Sequence, residues 1–454
     1  MPPPALITFL GTSSAVPSQT RNHSSLALTL PSGATYLFDA GEATQHQLQR
    51  VPGGFKASAL RKIFITHMHG DHVFGLVPLL CTLMNGAGGS VGVEDPRVLE
   101  ADVVNAEDAE KVSPARTPDF EIYGPQGLRE YVRSSLRLTR SQLAGTYVVH
   151  ELHEVTAAGV PRVEVDENLD RAPMELAGYN IFPDERGCWM DIPSMVGSPT
   201  REWEVSAGPI LHSVPCVGYV LTEPPVPGKI TPEYREKLMA NKAALAASGV
   251  KNPMSLLSKV TALKDGESIE LPDGQKLFRP PDRRGRRITI LGDTCDVSSI
   301  VGLADGSDVL VHEATNAFFG DRLSKLNKDY REGETYEDVK KKTIEHGHST
   351  PEMAAEVARK INLGASGGVV GKIATDEAAK AKEKEIYKPK GILLLNHFSA
   401  RYADPRSSEA AAVIMEEIKQ CAVRVLEESL LQERPLVQVV CAYDLMQYEI
   451  RSSD

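Results

Sequence analysis

Apolar runs rich in β-branched and aromatic residues recur along the chain, each stopped by glycine, proline or a polar corner. Residues 5–10, 25–30, 35–38, 147–155, 162–165 and 436–440 read as strands, as do the runs that lead into Gly124, His212, Asp293, Glu313 and His397. Helical spacing takes over at 73–83, 126–143, 231–247 and 407–427, and a further helix opens with Ser349 or Thr350 as cap and Pro351 in its first turn. The chain is therefore expected to be of the α/β class. Three stretches, 85–119, 166–203 and 364–389, follow neither period and read as surface insertions, the last with helical character. Residues 224–284 behave differently from their surroundings, with helices of their own, a hairpin turn at Asp273-Gly274, and an end in Arg283-Arg284-Gly285-Arg286-Arg287. On the helix at 126–143, Arg129, Arg133, Arg137 and Arg140 fall on one face. That face is either simply solvated, or a rail for an RNA backbone or a subunit contact.

The run Ile63-Phe64-Ile65 stops at Thr66-His67-Met68-His69-Gly70-Asp71-His72. His67 and His69, two apart, can converge on one ion. Gly70 allows a sharp turn that points Asp71 and His72 to a second ion. Imidazole with carboxylate suits a borderline metal such as zinc. Asp39, at the end of the strand-like run 35–38, is placed either to orient a ligand histidine or to serve as an ordinary turn residue. His212 alone reads as a core histidine, but beside a metal stretch that lacks a third ligand it becomes that ligand. Gly-Asp turns are common, yet Asp293 at a strand tip has two oxygens with which to bridge two cations. His397 ends a buried strand and supplies the last ligand.

Composition narrows the compartment more than the chemistry. The six cysteines (Cys81, Cys188, Cys216, Cys295, Cys421 and Cys441) have no paired spacing and read as free thiols in a reducing compartment. The first residues lack a basic region and a small-residue cleavage site, so no secretory signal is expected. No apolar run is long enough to cross a bilayer, and no membrane partner is expected. Cytoplasm, nucleus and mitochondrion remain open. A net charge of −11 argues against a protein that coats nucleic acid, but not against an enzyme with a local basic patch.

The stretch 66–72 resembles the signature of the metallo-β-lactamase superfamily, and other motifs are similar to those of the tRNase Z family, which removes 3′ trailers from precursor tRNA. These are Pro17-Ser18-Gln19-Thr20-Arg21-Asn22, where the family has Pro-x-Lys-x-Arg-Asn, the segment 38–45, His312-Glu313-Ala314-Thr315, and Asn396-His397-Phe398-Ser399-Ala400-Arg401-Tyr402. The resemblance implies an αββα sandwich over 1–454 with a protruding substrate-binding arm at 224–284, where Asn252-Pro253 replaces the family's Gly-Pro. It implies two zinc ions per subunit: His67, His69 and His212 on the first, Asp71, His72 and His397 on the second, Asp293 between them. Water would attack phosphorus in line, with Asp71 also orienting the nucleophile. His348, held by Glu313, would protonate the leaving O3′. Arg21, Asn22, Lys251, Lys259, Lys264, Arg283 and Arg284 would contact RNA. A single metal stretch near the N-terminus looks like the family's short form, which works as a homodimer. Two other readings stay open: a small-molecule phosphodiesterase or thioester hydrolase on the same scaffold, which would not need the arm, and a metal-free RNA-processing subunit, which would have no use for a full ligand set.

Overall fold

Two neighbouring strands, Thr35–Phe38 and Leu60–Phe64, show how the sequence builds its layers. Successive side chains on a strand point to opposite faces. Leu37 and Ile63 enter one apolar cluster with Leu76, Leu80 and Val132, which belong to the helices Leu76–Leu83 and Leu128–Thr139. Tyr36, Phe38 and Phe64 take the other face. There Phe64 stacks on Phe38 at 5.1 Å and on Tyr123 at 4.9 Å, and meets Tyr219 of a second sheet edge-on at 5.1 Å. The Tyr219 hydroxyl donates to the Ile65 carbonyl at 2.7 Å, so the ring is buried without leaving a polar atom unpaired.

The computed structural model describes residues 3–84, 118–155, 171–195, 203–264, 266–323, 333–365, 369–374, 390–428 and 437–452. Among the described residues the first sheet has ten strands. In order these are Val369–Ile373, Gln447–Ser452, Ala5–Gly11, Ser25–Thr29, Thr35–Phe38, Leu60–Phe64, Phe120–Pro125, Tyr147–Leu152 and Glu175–Leu176, with Asn180–Ile181 also on Tyr147–Leu152. The second runs Glu204–Ile210, Cys216–Thr222, Arg287–Leu291, Val309–Glu313, Gly391–Asn396 and Val437–Cys441, the last four parallel. Its outer face carries Leu310, Leu393 and Leu395, packed with Ala354, Ala355 and Ala358 of the helix Pro351–Lys360 and Met415 and Ile418 of the helix Glu409–Glu427. The layers are thus helix, sheet, sheet, helix, as expected.

Thr222–Gly285 clusters as a compact unit of its own. It holds the helices Pro232–Ala240, Lys242–Ala247 and Leu256–Ala262 and the hairpin Ser268–Glu270 with Lys276–Phe278. Leu238, Leu245, Leu256, Val260, Leu271 and Leu277 form its core. Asn241 interrupts the expected 231–247 helix, and its amide exchanges hydrogen bonds with Asp273 at 2.7 and 3.1 Å, fixing the hairpin turn.

Four expectations need correction. Within 364–389, Val369–Ile373 is an edge strand on Gln447–Ser452 rather than part of a helical insertion, and 375–389 lies outside the described residues. Within 166–203, Glu175–Leu176 and Asn180–Ile181 extend the sheet, and Cys188 and Trp189 are buried, so part of 171–195 belongs to the fold rather than to a surface insertion. Arg129 and Arg133 form neither a solvated face nor an RNA rail: both are buried, on Glu151 at 3.0 Å and Glu175 at 2.8 Å. The expected helix 73–83 is two helices, Gly70–Val73 and Leu76–Leu83. They part at Gly75, where a side chain would collide with the Gly41 carbonyl. The strand expected at 162–165 and nearly all of 85–119 lie outside the described residues.

Candidate metal centre

The site is built where strands stop. Leu60–Phe64 runs out into Thr66, His67 and His69, and the one-turn helix Gly70–Val73 supplies Asp71 and His72. His212 follows Glu204–Ile210, Asp293 follows Arg287–Leu291, Glu313 closes Val309–Glu313, and His397 follows Gly391–Asn396. The last three strands are parallel neighbours, which brings their C-terminal tips to one edge. His348 lies just before the helix Pro351–Lys360, capped by Thr350. Asp39 and His397 both have left-handed φ, 58° and 53°. That conformation is uncommon for residues with side chains and tends to collect at functional sites.

Seven predicted ligands converge. His67 Nε2 and His212 Nε2 lie 3.1 and 3.2 Å from His69 Nδ1. His72 Nε2 and His397 Nε2 lie 3.2 Å apart, each 3.5 Å from Asp71 Oδ2. Asp293 stands between the two groups: Oδ1 is 3.4 Å from His72 Nε2, while Oδ2 is 3.4 Å from His397 Nε2, 3.8 Å from His67 Nε2 and 3.9 Å from His212 Nε2. Imidazole nitrogens bound tetrahedrally at about 2.0–2.1 Å to zinc stand roughly 3.3 Å apart. The observed spacings match that polyhedron edge, so the residues fit a metal.

The opposite ring nitrogens are held from behind, which fixes each tautomer. His72 Nδ1 donates to Asp39 Oδ2 at 2.7 Å, and His212 Nδ1 to the Gly347 carbonyl at 2.8 Å. His67 Nδ1 lies 3.0 Å from the Thr66 hydroxyl, which itself donates to Asp39 at 2.9 Å. His397 Nδ1 lies 3.2 Å from Thr315 Oγ1. The sequence does not single out Thr66 and Thr315, although both sit in motifs that carry candidate ligands or acids. Asp39 is thus the support for a ligand histidine, not a plain turn residue.

The electrostatics favour positive charge. Burial opposes ionisation of Asp293, yet His397 and His72 outweigh it and hold the carboxyl well below its usual range. Burial likewise opposes a charged His72, but Asp293 and Asp39 keep its pKa well above 6.5. His67, where burial and the neighbouring His72 act together, stays neutral, the form a metal ligand needs. Beside this cluster His348 Nδ1 lies 3.1 and 3.2 Å from the Glu313 oxygens. Burial lowers the His348 pKa, but Glu313 overcomes it and pushes it up to about 9. Glu313 also accepts from the Thr294 and Ser349 amides, so its orientation is fixed.

The residues expected to meet RNA divide. Lys251, Lys259 and Lys264 are exposed on the unit Thr222–Gly285, and Arg284 is exposed with Arg283 half-buried. Arg21 is different: it is 1% exposed, and its guanidinium donates to Tyr402 O, Thr12 Oγ1 and Ala442 O. A side chain so enclosed does not present itself to RNA, and that expectation is corrected. Asn22 keeps some exposure, but its amide nitrogen donates to the Glu42 carbonyl.

Comparison with known proteins agrees with this geometry. A family model described as "Anti-Pycsar protein Apyc1" matches residues 5–86. The zinc phosphodiesterase ELAC protein 1 of Bos taurus is 32% identical over 443 residues, covering 95% of this chain and 96% of the relative. Ribonuclease Z of Microcystis aeruginosa is 31% identical, covering 90% of each. Among solved structures, that of human tRNase Z, short form (ELAC1), is 26% identical, covers 99% of both chains and superposes with a TM-score of 0.48. A ligand set of this kind, together with relatives above 30% identity along nearly their whole length, establishes that the chain belongs to the ribonuclease Z family, that of the ELAC zinc phosphodiesterases.

Proposed function

We propose that this protein is a zinc-dependent endoribonuclease that removes 3′ trailers from precursor tRNA and uses two zinc ions per subunit. The observation that carries the reading is Asp293, whose Oδ2 lies between the two groups of ligand atoms, 3.4 Å from His397 Nε2 on one side and 3.8 and 3.9 Å from His67 and His212 Nε2 on the other, while Oδ1 lies 3.4 Å from His72 Nε2. Charge points the same way: Asp39, Asp71 and Asp293 meet no Lys or Arg among the described residues, so bound cations would be their counter-charge, whereas Glu313 is already paired with His348. His67, His69 and His212 would hold one ion, and Asp71, His72 and His397 the other, with Asp293 shared. Bound zinc supplies Lewis acidity, acidifying a water and neutralising charge on a phosphoryl oxygen.

The chain's own residues do the rest. Asp71 Oδ2, which accepts from the Ala15 amide at 2.8 Å, is fixed at the mouth of the cluster, where it can orient an attacking water. His348 is protonated at neutral pH, because Glu313 holds Nδ1 and stabilises the cation. Its Nε2–H is then the group able to protonate a leaving O3′. The products would be a tRNA ending in 3′-OH and a trailer with a 5′-phosphate. Thr222–Gly285, with Lys251, Lys259 and Lys264 exposed, would grip the tRNA away from the cut, in a homodimer where one subunit's arm serves the other's site.

The test is incubation of the purified protein with a 3′-extended tRNA and mapping of the cut. A single cut at the 3′ side of the mature tRNA body, lost in His69→Ala, is expected. Hydrolysis of small phosphodiesters with no cut in the tRNA would instead favour a small-molecule enzyme.

A further inference from the structure

Arg21 was expected at an RNA surface and is instead one of the largest fully buried side chains. Its Nε donates to the Tyr402 carbonyl at 2.6 Å, and its Nη1 to Thr12 Oγ1 at 2.6 Å and the Ala442 carbonyl at 3.2 Å. The guanidinium lies over the Phe398 ring at 4.8 Å. One side chain therefore ties three distant segments: its own loop, the tail after His397 and the end of the strand Val437–Cys441.

Two of these segments touch ligands. Phe398 is bonded to His397, and its amide donates to the Thr12 carbonyl at 2.9 Å while Phe398 and Ser399 pair with Ser13 and Ser14. Two residues on, the Ala15 amide donates to Asp71 Oδ2 at 2.8 Å. The loop is braced at its far end by Asp444, which accepts from the Asn22 amide and the Thr12 hydroxyl, each at 2.6 Å. Both paths from Arg21 lead to the Asp71, His72 and His397 group. Neither leads to His67, His69 and His212, which are held by Thr66, Ser213 and Gly347.

We propose that Arg21 is a positioning residue for one half of the metal cluster, setting His397 and Asp71 through the loop it anchors, and that it does not bind RNA. A planar guanidinium with donors fixed on separate nitrogens suits that work, whereas the three donors of an ammonium leave from a single atom and do not span the same acceptors. The inference rests on the two-ion reading given above.

Metal-free wild-type protein, Arg21→Ala and Arg21→Lys would each be titrated with zinc against a chromogenic chelator, and their binding of precursor tRNA measured without metal. In Arg21→Ala one of the two ions is expected to bind about 10- to 100-fold more weakly, the loss typical when a residue supporting metal ligands is removed. The other ion and tRNA binding should be little changed, and hydrolysis of bis(4-nitrophenyl) phosphate should fall with the weakened ion. Arg21→Lys, which keeps the charge, should lie between, and it decides the matter if the alanine variant does not fold. Unchanged zinc affinities with weaker tRNA binding would overturn the proposal, as would equal weakening of both ions. Wild-type protein that takes up fewer than two zinc ions would instead overturn the two-ion reading itself.

Discussion

The Asp39 carboxylate receives His72 Nδ1–H at 2.7 Å on one oxygen and the Thr66 amide at 2.7 Å on the other. One acidic side chain thus fixes the direction of a ligand imidazole and the backbone from which His67 and His69 depart. The ligand nitrogens point inward because the opposite nitrogens have nowhere else to go.

Removing that support should loosen metal without touching a ligand. Asp39→Asn is expected to lower zinc affinity about 10- to 100-fold, measured by chelator competition. Unaltered affinity would show that the His72 ring is held by packing alone.

The proposed proton donor, His348, would be separable from the metal cluster by the leaving group it serves. His348→Ala should lower kcat on precursor tRNA by roughly 10²- to 10⁴-fold, as loss of a general acid does. Hydrolysis of bis(4-nitrophenyl) phosphate, whose phenolate leaves without a proton, should fall much less. Equal losses on both substrates would place His348 in another role. Glu313→Gln should follow His348→Ala in direction, since the carboxylate is what holds His348 protonated.

Acid stability can be tied to a residue that is not among the candidate ligands. Glu121 is fully buried, yet it accepts from the Ser194 hydroxyl at 2.7 Å and the Met195 amide, with His150 Nε2 at 3.5 Å. Burial would raise its pKa, but these partners outweigh burial and lower it to about 2 from 4.5. A depressed carboxyl stabilises the fold above its unfolded pKa and loses that contribution as pH falls through the folded one. Stability should therefore decline between pH 4.5 and about 2, and Glu121→Gln should flatten that limb in denaturant titrations at stepped pH.

Arg133 tests the corrected reading of the basic helix. Its guanidinium is buried against Glu175, and Arg133→Ala leaves that carboxylate unpaired, which should cost about 3–5 kcal/mol in denaturant unfolding. An RNA rail would instead show weaker tRNA binding with little change in stability.

The metal ligands were legible because their chemistry is local. His67, His69, Asp71 and His72 lie within six positions, and His212, Asp293 and His397 each end an apolar run. The strands before Asp293 and His397 run parallel on either side of Val309–Glu313, so ending a strand is enough to place those two residues at the site, while His212 follows the strand Glu204–Ile210 at the edge of the same sheet. What the sequence concealed depends on partners far along the chain. Arg21 looks like a loop cation until the Tyr402 carbonyl, 381 positions away, accepts a hydrogen bond from its Nε. Arg129 and Arg133 look solvated until Glu151 and Glu175 arrive from the sheet, 22 and 42 positions on. Val369–Ile373 sits in a glycine- and alanine-rich stretch with no alternation, and becomes a strand only because Gln447–Ser452 offers an open edge.

The central claim is that one cradle of seven side chains holds two cations on either side of Asp293. Diffraction from zinc-loaded crystals, recorded above and below the zinc absorption edge, tests it most directly. Two anomalous peaks are predicted, one among His67, His69 and His212, the other among Asp71, His72 and His397, with a carboxylate oxygen of Asp293 beside each. A single peak, or peaks that leave Asp293 outside the coordination of both, would contradict the account.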